Sequence, residues 1–316
     1  NGIDESVAWV TPLEFHPENP SILFAAYENV WKNTGGLWTK ISDLPTSGTL
    51  RSLEIAPSDP DVIYTGGFGY IHRTTNGGDT WANITSSNLP NRVITGIEAS
   101  PDDPLKVWIT FSGYLDGEKV FYSDNGGQNW ENISQNLPNV PVNCVSYQLG
   151  TNDGIYIGTD IGVYYKSADE STWSFYNEGL PNVIINQIIF QYQAGKVIVG
   201  TYGRGVWQNE FFNAGEALPV ADFSGSPKLI CQGETVSYLN ESLNISDSIV
   251  WTFEGGTPET SNELNPEITY NQGGLFDAKL WVANANGADS LILEDYVEVI
   301  SQTGVPAPYS ESFEGA

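Results

Sequence analysis

Carboxylates are the side chains here best able to do chemistry. The chain sets 39 Asp and Glu against 12 Lys and Arg, for a formal charge of −27. Two carboxyl groups facing each other across a cleft would hydrolyse a glycoside, one as acid and one as base or nucleophile, and their separation would set the stereochemical course. No Asp or Glu stands in a context that argues for a raised pKa, so none is singled out as catalytic. Converging Asp and Asn oxygens would suit calcium, which takes about six to eight of them; beyond that ion no cofactor or metal is implied. The other reactive groups are few: Cys144 and Cys231, His16 and His72, and the arginines Arg51, Arg73, Arg92 and Arg204. No H-E-x-x-H, no G-x-S-x-G and no phosphate loop before a helix occurs. Gly203-Arg204-Gly205 sits on a strand and reads as a turn. Cys144, in the apolar run V-N-C-V-S-Y, reads as a small buried hydrophobe, and the cysteines lack metal-ligand spacing. The two histidines read as surface or packing residues.

The elements that would position any such group form a repeat. T-T-N-G-G-D-T-W at 74–81 returns as S-D-N-G-G-Q-N-W at 123–130, as a worn K-N-T-G-G-L-W at 32–38, and one residue shorter as S-A-D-E-S-T-W at 167–173. Their tryptophans, Trp38, Trp81, Trp130 and Trp173, stand 43, 49 and 43 residues apart. A fixed period of this size marks a repeat architecture. Glycines such as Gly35, Gly78 and Gly127 supply the positive φ of a tight turn between antiparallel strands. Asn33, Asn76, Asn125 or Asp169 just before them bonds the turn's own N–H groups, with Thr74, Ser123 or Ser167 doing so more weakly. The closing Trp fastens the turn to its neighbour.

This series resembles the Asp-box, or BNR repeat, of sialidases, sortilin-like proteins and xyloglucanase-like enzymes. The resemblance covers about 8–212 and implies four-stranded β-propeller blades on which the box is a structural turn that performs no chemistry. The rest of each repeat agrees. An apolar strand ends in a proline-bracketed turn (F-H-P-E-N-P at 15–20, I-A-P-S-D-P at 55–60, A-S-P-D-D-P at 99–104), a second follows, a third leads into the box and a fourth begins at its Trp and runs to Leu-Pro. Proline cannot donate to a ladder, so those turns end strands. Four short strands per unit make a blade.

A fifth unit from Ile184 to Trp207 has no box after it, and nothing before Ala8 reads as a strand that would complete it. Either five blades close a small ring, or they are the last five of a larger one; the sortilin-like and xyloglucanase-like resemblance favours the second. The blades are assigned to 1–212.

From Pro219 the period is lost. The pattern W-T-F-E-G-G, then N-P-x-x-x-Y, G-x-F and V-x-N-x-x-G, is similar to the polycystic-kidney-disease (PKD) domain, which implies an immunoglobulin-like β-sandwich over 213–300. Here Glu254-Gly255-Gly256 replaces the usual G-D-G, which argues against an acidic ligand at that turn. Residues 301–316 read as a linker and the start of a further domain. The chain as a whole is all-β, and it has neither an initiator Met nor a leader, so it reads as a piece of a longer protein.

Its charge repels phosphate backbones and anionic lipids, and no apolar run approaches the ~18–20 residues of a membrane span. Neither nucleic acid nor membrane insertion is expected. A sialidase-like site would need three clustered arginines, which the sequence does not place on one face. A xyloglucanase-like site would need a cleft between two propellers, and at most one is present. The expected role is therefore non-catalytic: adhesion, recognition of a glycan or protein ligand, or domain spacing, with Tyr27, Phe68, Tyr70, Tyr114 and Tyr202 near loop ends as candidate ligand-face aromatics. Core or rim packing is the simpler role for each. The alternative is part of a glycoside hydrolase completed by further sequence. Ser248 and Ser290 sit in Asp-Ser-aliphatic tripeptides that match O-glycosylation in Bacteroidetes-type surface proteins. The assembly resembles multidomain exports leaving by type IX secretion, which implies a secreted or cell-surface protein with secretion machinery or its own further domains as partners.

Overall fold

Prolines cut the first two thirds of the chain into short strands that pair only with their neighbours in sequence. The computed structural model describes residues 3–45, 48–212, 218–244 and 248–301, so the expected further domain at 302–316 lies outside the described residues. Chain packing divides the molecule into two units, Asn1–Ala214 and Gly215–Ala316.

The first unit is a succession of antiparallel meanders. Sheet 1 is Leu13–His16, Asn19–Ala26, Val30–Thr34 and Leu37–Lys40; sheet 2 is Ser52–Ile55, Val62–Gly66, Ile71–Thr75 and Ala82–Asn83. Sheet 3 is Ile94–Ala99, Val107–Phe111, Val120–Ser123 and Glu131–Asn132; sheet 4 is Val142–Gln148, Gly154–Thr159, Gly162–Lys166 and Ser174–Phe175. Sheet 5 has three strands, Ile185–Gln191, Lys196–Thr201 and Gly205–Glu210. The fourth strand begins before the tryptophan only in sheet 1; elsewhere it starts one residue after Trp81, Trp130 or Trp173.

The core is not one mass but a slab between each pair of neighbouring sheets. Phe24 and Val30 of sheet 1 meet Leu53 and Ile63 of sheet 2, and Tyr64 and Ile71 meet Ile97 and Phe121 of sheet 3. Trp108 packs with Tyr147 and Ile157, and Tyr156 with Ile188 and Val199. This explains why second strands such as V-I-Y-T-G are buried throughout: both their faces are covered, as in any doubly packed sheet. The end sheets are covered on one side only. Leu13, Phe15 and Leu37 of sheet 1 and Val206 of sheet 5 are exposed.

One contact recurs in every complete sheet. The residue that follows the fourth strand donates its N–H to the start of the third: Ile41 to Val30 O, Ile84 to Ile71 O, Ile133 to Val120 O, Tyr176 to Val163 O. The next side chain then takes the N–H of that same strand residue, Ser42 from Val30, Thr85 from Ile71, Ser134 from Val120 and Asn177 from Val163. No strand forms among residues 3–12, yet Glu5 is anchored there by N–H groups of Asn29 and Trp31.

In the second unit, one sheet orders Phe223–Ser226, Thr235–Asn240, Glu267–Tyr270 and Gly256–Thr257. The other orders Leu229–Cys231, Gly287–Ile300, Gly274–Asn284, Ser248–Phe253 and Thr260–Ser261. In the N-P-x-x-x-Y motif, Asn265-Pro266 leads into a strand from Glu267, because Ile268 and Tyr270 alternate into the core with Trp251 and Phe253. Among the described residues no helix is long and apolar enough to cross a membrane.

Candidate functional site

The recurring corners join third to fourth strands, and their polar atoms are consumed by the turns themselves. Thr74 Oγ1 accepts from Gly78 N (3.1 Å) and donates to Asn76 Oδ1 (2.8 Å), which also accepts from Thr80 N (2.9 Å). Ser123, Asn125, Gly127 and Asn129 repeat this arrangement at 2.8–3.0 Å. The outer copies differ. Asn33 accepts only from Gly36 N in a two-residue hairpin turn. Asp169 does not serve its own turn, as expected from sequence, but accepts from Asn152 Nδ2, while Glu170 takes the N–H of Ser167. The deletion in that copy shifts the carboxylate that can reach back by one position.

Each closing tryptophan after the first donates its indole N–H to the preceding sheet. Trp81 bonds Ile41 O (2.7 Å), Trp130 bonds Ile84 O (3.1 Å) and Trp173 bonds Ile133 O (2.7 Å). Trp38 is half-buried on sheet 1. The glycines belong to the same joint: a Cβ on Gly78 would stand 2.8 Å from Ile41 O, and one on Gly127 2.5 Å from Ile84 Cδ1. Asn88 and Asn136, one residue before Leu-Pro, add bonds forward to the carbonyls of Trp130 and Trp173. Sequence reasoning missed these asparagines although N-L-P recurs.

The candidate ligand-face aromatics lie at the other end of the sheets, on loops joining second to third strands. Tyr27 is half-buried, and its carbonyl accepts from Leu50 N. Tyr114 is 69% exposed, with its hydroxyl 3.4 Å from Asp160 Oδ2 of sheet 4; Tyr202 is 72% exposed on sheet 5. Only Phe68 and Tyr70 are brought together. They line a cavity of about 280 Å³ with Gly48, Thr49, Arg51 and Val93. Arg51 was not singled out, because nothing in the sequence says that residues 51, 68 and 93 meet.

The backbone around Phe68 is clamped. Gly67 N donates to Tyr70 O, Gly69 N to Arg92 O and Ile94 N to Gly67 O, while Phe68 bridges Val93. A side chain at Gly67 would run into the Tyr70 ring, and Gly69 holds φ +76° against Asn91. Phe68 is nonetheless 57% exposed. A rigid loop therefore presents an aromatic ring to water.

The carboxylates with raised pKa lie elsewhere, on first strands. Glu14 stands exposed on its strand, whereas burial, with the Glu14 charge adding to it, pushes the Glu98 carboxyl up to about 8. Burial and then the Glu98 charge raise Glu54 well above the ordinary range. Glu54 accepts from Ala99 N (3.1 Å) and Glu98 from Tyr147 N (2.8 Å), so both tie one sheet to the next. The sequence contained no sign of this, since strand alternation alone does not reveal which face meets a neighbouring sheet. Among the described residues no three His, Cys, Asp or Glu side chains converge as metal ligands would. His72 is buried against Tyr70, and burial pushes the Cys144 thiol up to about 12. In the second unit, Ser248 and Ser290 are exposed on strands of the five-stranded sheet; Asp247 lies outside the described residues.

No family model matches the chain. A xyloglucanase of Hypocrea jecorina (strain QM6a) is 26% identical over 141 residues, 43% of this chain and 16% of that protein. Among solved structures, the GH74 enzyme of Niastella koreensis and the GH74 xyloglucanase of Xanthomonas campestris each match at TM-score 0.52 and 12% identity, over 91% of this chain and 46% of theirs. The outer coat vertex of COPII on membranes matches at TM-score 0.50 and 11% identity, over 90% of this chain and 83% of that one. Likeness of the same order to enzymes and to a membrane coat speaks to fold alone: the first unit is a β-propeller of the xyloglucanase type. The chain spans less than half the length of these xyloglucanase and GH74 proteins.

Proposed function

We propose that this chain is the recognition segment of a secreted or cell-surface protein, and that its propeller blades hold a glycan at the loop end without cleaving it. The observation that carries this reading is the cavity in which the clamped, exposed Phe68 stands beside Arg51 and Tyr70, with no Asp or Glu among the described residues that line it. Aromatic rings on rigid backbone bind sugar faces at little entropic cost. Glu54 and Glu98, whose pKa values are raised, each accept a backbone N–H of the next sheet, which argues against their acting as an acid and base pair.

The corner geometry at Thr74 and Ser123 supports their assignment as Asp-boxes, and the sheet orders around Trp251 support a PKD-like second unit. We further propose that the blades belong to a larger ring, since sheets 1 and 5 each leave an apolar face in water. Export through type IX secretion and O-glycosylation at Ser248 and Ser290 complete the reading.

A second reading, part of a glycoside hydrolase, is favoured by the similarity to the Hypocrea jecorina xyloglucanase. A glycan array combined with a hydrolysis assay on the full-length parent separates the two. Glycan binding lost in Phe68→Ala without any turnover supports recognition. Polysaccharide hydrolysis abolished by a single Asp or Glu substitution within 8–212 sinks it.

A further inference from the structure

The chemistry of the cavity narrows the ligand, on the premise that it binds a glycan at all. The protein is strongly acidic, yet the six described residues around this cavity include a guanidinium and no carboxylate. Arg51 is exposed and takes part in none of the ion pairs found among the described residues. Its position is fixed at the backbone, where Arg51 N donates to Gly66 O (2.7 Å). Phe68 extends from the loop that follows that same Gly66, so the planar cation and the ring flank one space.

A guanidinium offers a rigid fork of donors that matches a carboxylate two bonds at a time. An aromatic face takes the C–H face of a pyranose ring. Tyr70 donates its hydroxyl to Gly48 O (3.1 Å), which fixes its ring at the edge of the same space. We infer that this cavity takes a uronic acid unit, its ring on Phe68 and its carboxylate on Arg51. The surrounding charge adds a restriction. A polymer with a carboxylate on every sugar would be repelled by the net charge of −27 over its whole length. A neutral glycan carrying an occasional uronic acid branch meets the single guanidinium without that repulsion.

Calorimetric titration with three probes tests this: a xylo-oligosaccharide bearing one glucuronic acid branch, the same compound with its carboxyl reduced to the alcohol, and a neutral xyloglucan oligosaccharide. The acidic compound is expected to bind about tenfold more tightly than its reduced form, a difference of one charge-assisted pair. Arg51→Gln erases that difference while thermal unfolding stays unchanged, and Phe68→Ala removes binding of both forms. Equal affinity for the acidic and reduced compounds, or discrimination that survives Arg51→Gln, overturns the uronic acid assignment but leaves glycan recognition standing. Failure of all three probes to bind overturns both.

Discussion

Trp173 donates its buried indole N–H to the carbonyl oxygen of Ile133, 2.7 Å away and one sheet upstream. The bond makes the corner a joint between sheets rather than a decoration on one of them. Trp173→Phe keeps most of the packing but strands the Ile133 carbonyl, at a cost of about 1–3 kcal/mol. Trp173→Ala adds a cavity and costs about 3–5 kcal/mol. Trp38→Phe, on the half-buried first copy, changes stability by about 0.5 kcal/mol or less. Urea unfolding of the three variants checks the order, and a Trp38 effect as large as that of Trp173 contradicts it.

Gly35 and Gly78 both have positive φ, at 65° and 106°, but a Cβ on Gly35 meets nothing within 4 Å whereas one on Gly78 meets Ile41. Gly35→Ala therefore costs only the left-handed backbone, about 1–2 kcal/mol. Gly78→Ala must also push sheets 1 and 2 apart, and it is expected to lower Tm by clearly more than Gly35→Ala. Differential scanning calorimetry of both proteins decides.

Stability should fall as pH rises from about 6.5 to about 8. Glu54 and Glu98 have folded pKa values above their unfolded ones, so the folded state binds more protons in that window and loses its advantage as they ionise. Glu98→Gln retains an acceptor for Tyr147 N and should flatten the decline. His72 acts at the other end. Burial lowers its pKa, so stability also falls as pH drops below about 6.5. Thermal melts of wild type and Glu98→Gln at pH 6 and pH 9 test the sign, and a larger loss in the variant refutes it.

Tyr114 and Tyr202 are more exposed than Phe68 but do not line its cavity. Tyr114→Ala and Tyr202→Ala should leave glycan affinity within about twofold, whereas Phe68→Ala reduces it by tenfold or more. Equal losses in all three would point to a diffuse surface in place of one site.

Much of this architecture was legible in the sequence because turns are local. Pro57 and Pro60 must end a strand, and Gly77-Gly78 must turn one, wherever the rest of the chain lies. The corner at 167–173 shows the limit: Asp169 matched the pattern by type, but the missing residue handed its task to Glu170. What depends on distant parts of the chain left no such mark. Arg51 meets Phe68 only because two strands separate them by one meander, and Glu54 reaches Ala99 only because two sheets lie side by side. Asn88 and Asn136 are intermediate, since their recurrence before Leu-Pro was visible but the tryptophan carbonyls they serve were not.

The tryptophan joints also have a direction. Each unit in the middle of the row spends an indole on the one behind it and offers a carbonyl to the one ahead. A duplicated stretch of gene encoding one whole unit would therefore arrive with both of its obligations already met, so the row can lengthen by copying without any new contact having to evolve.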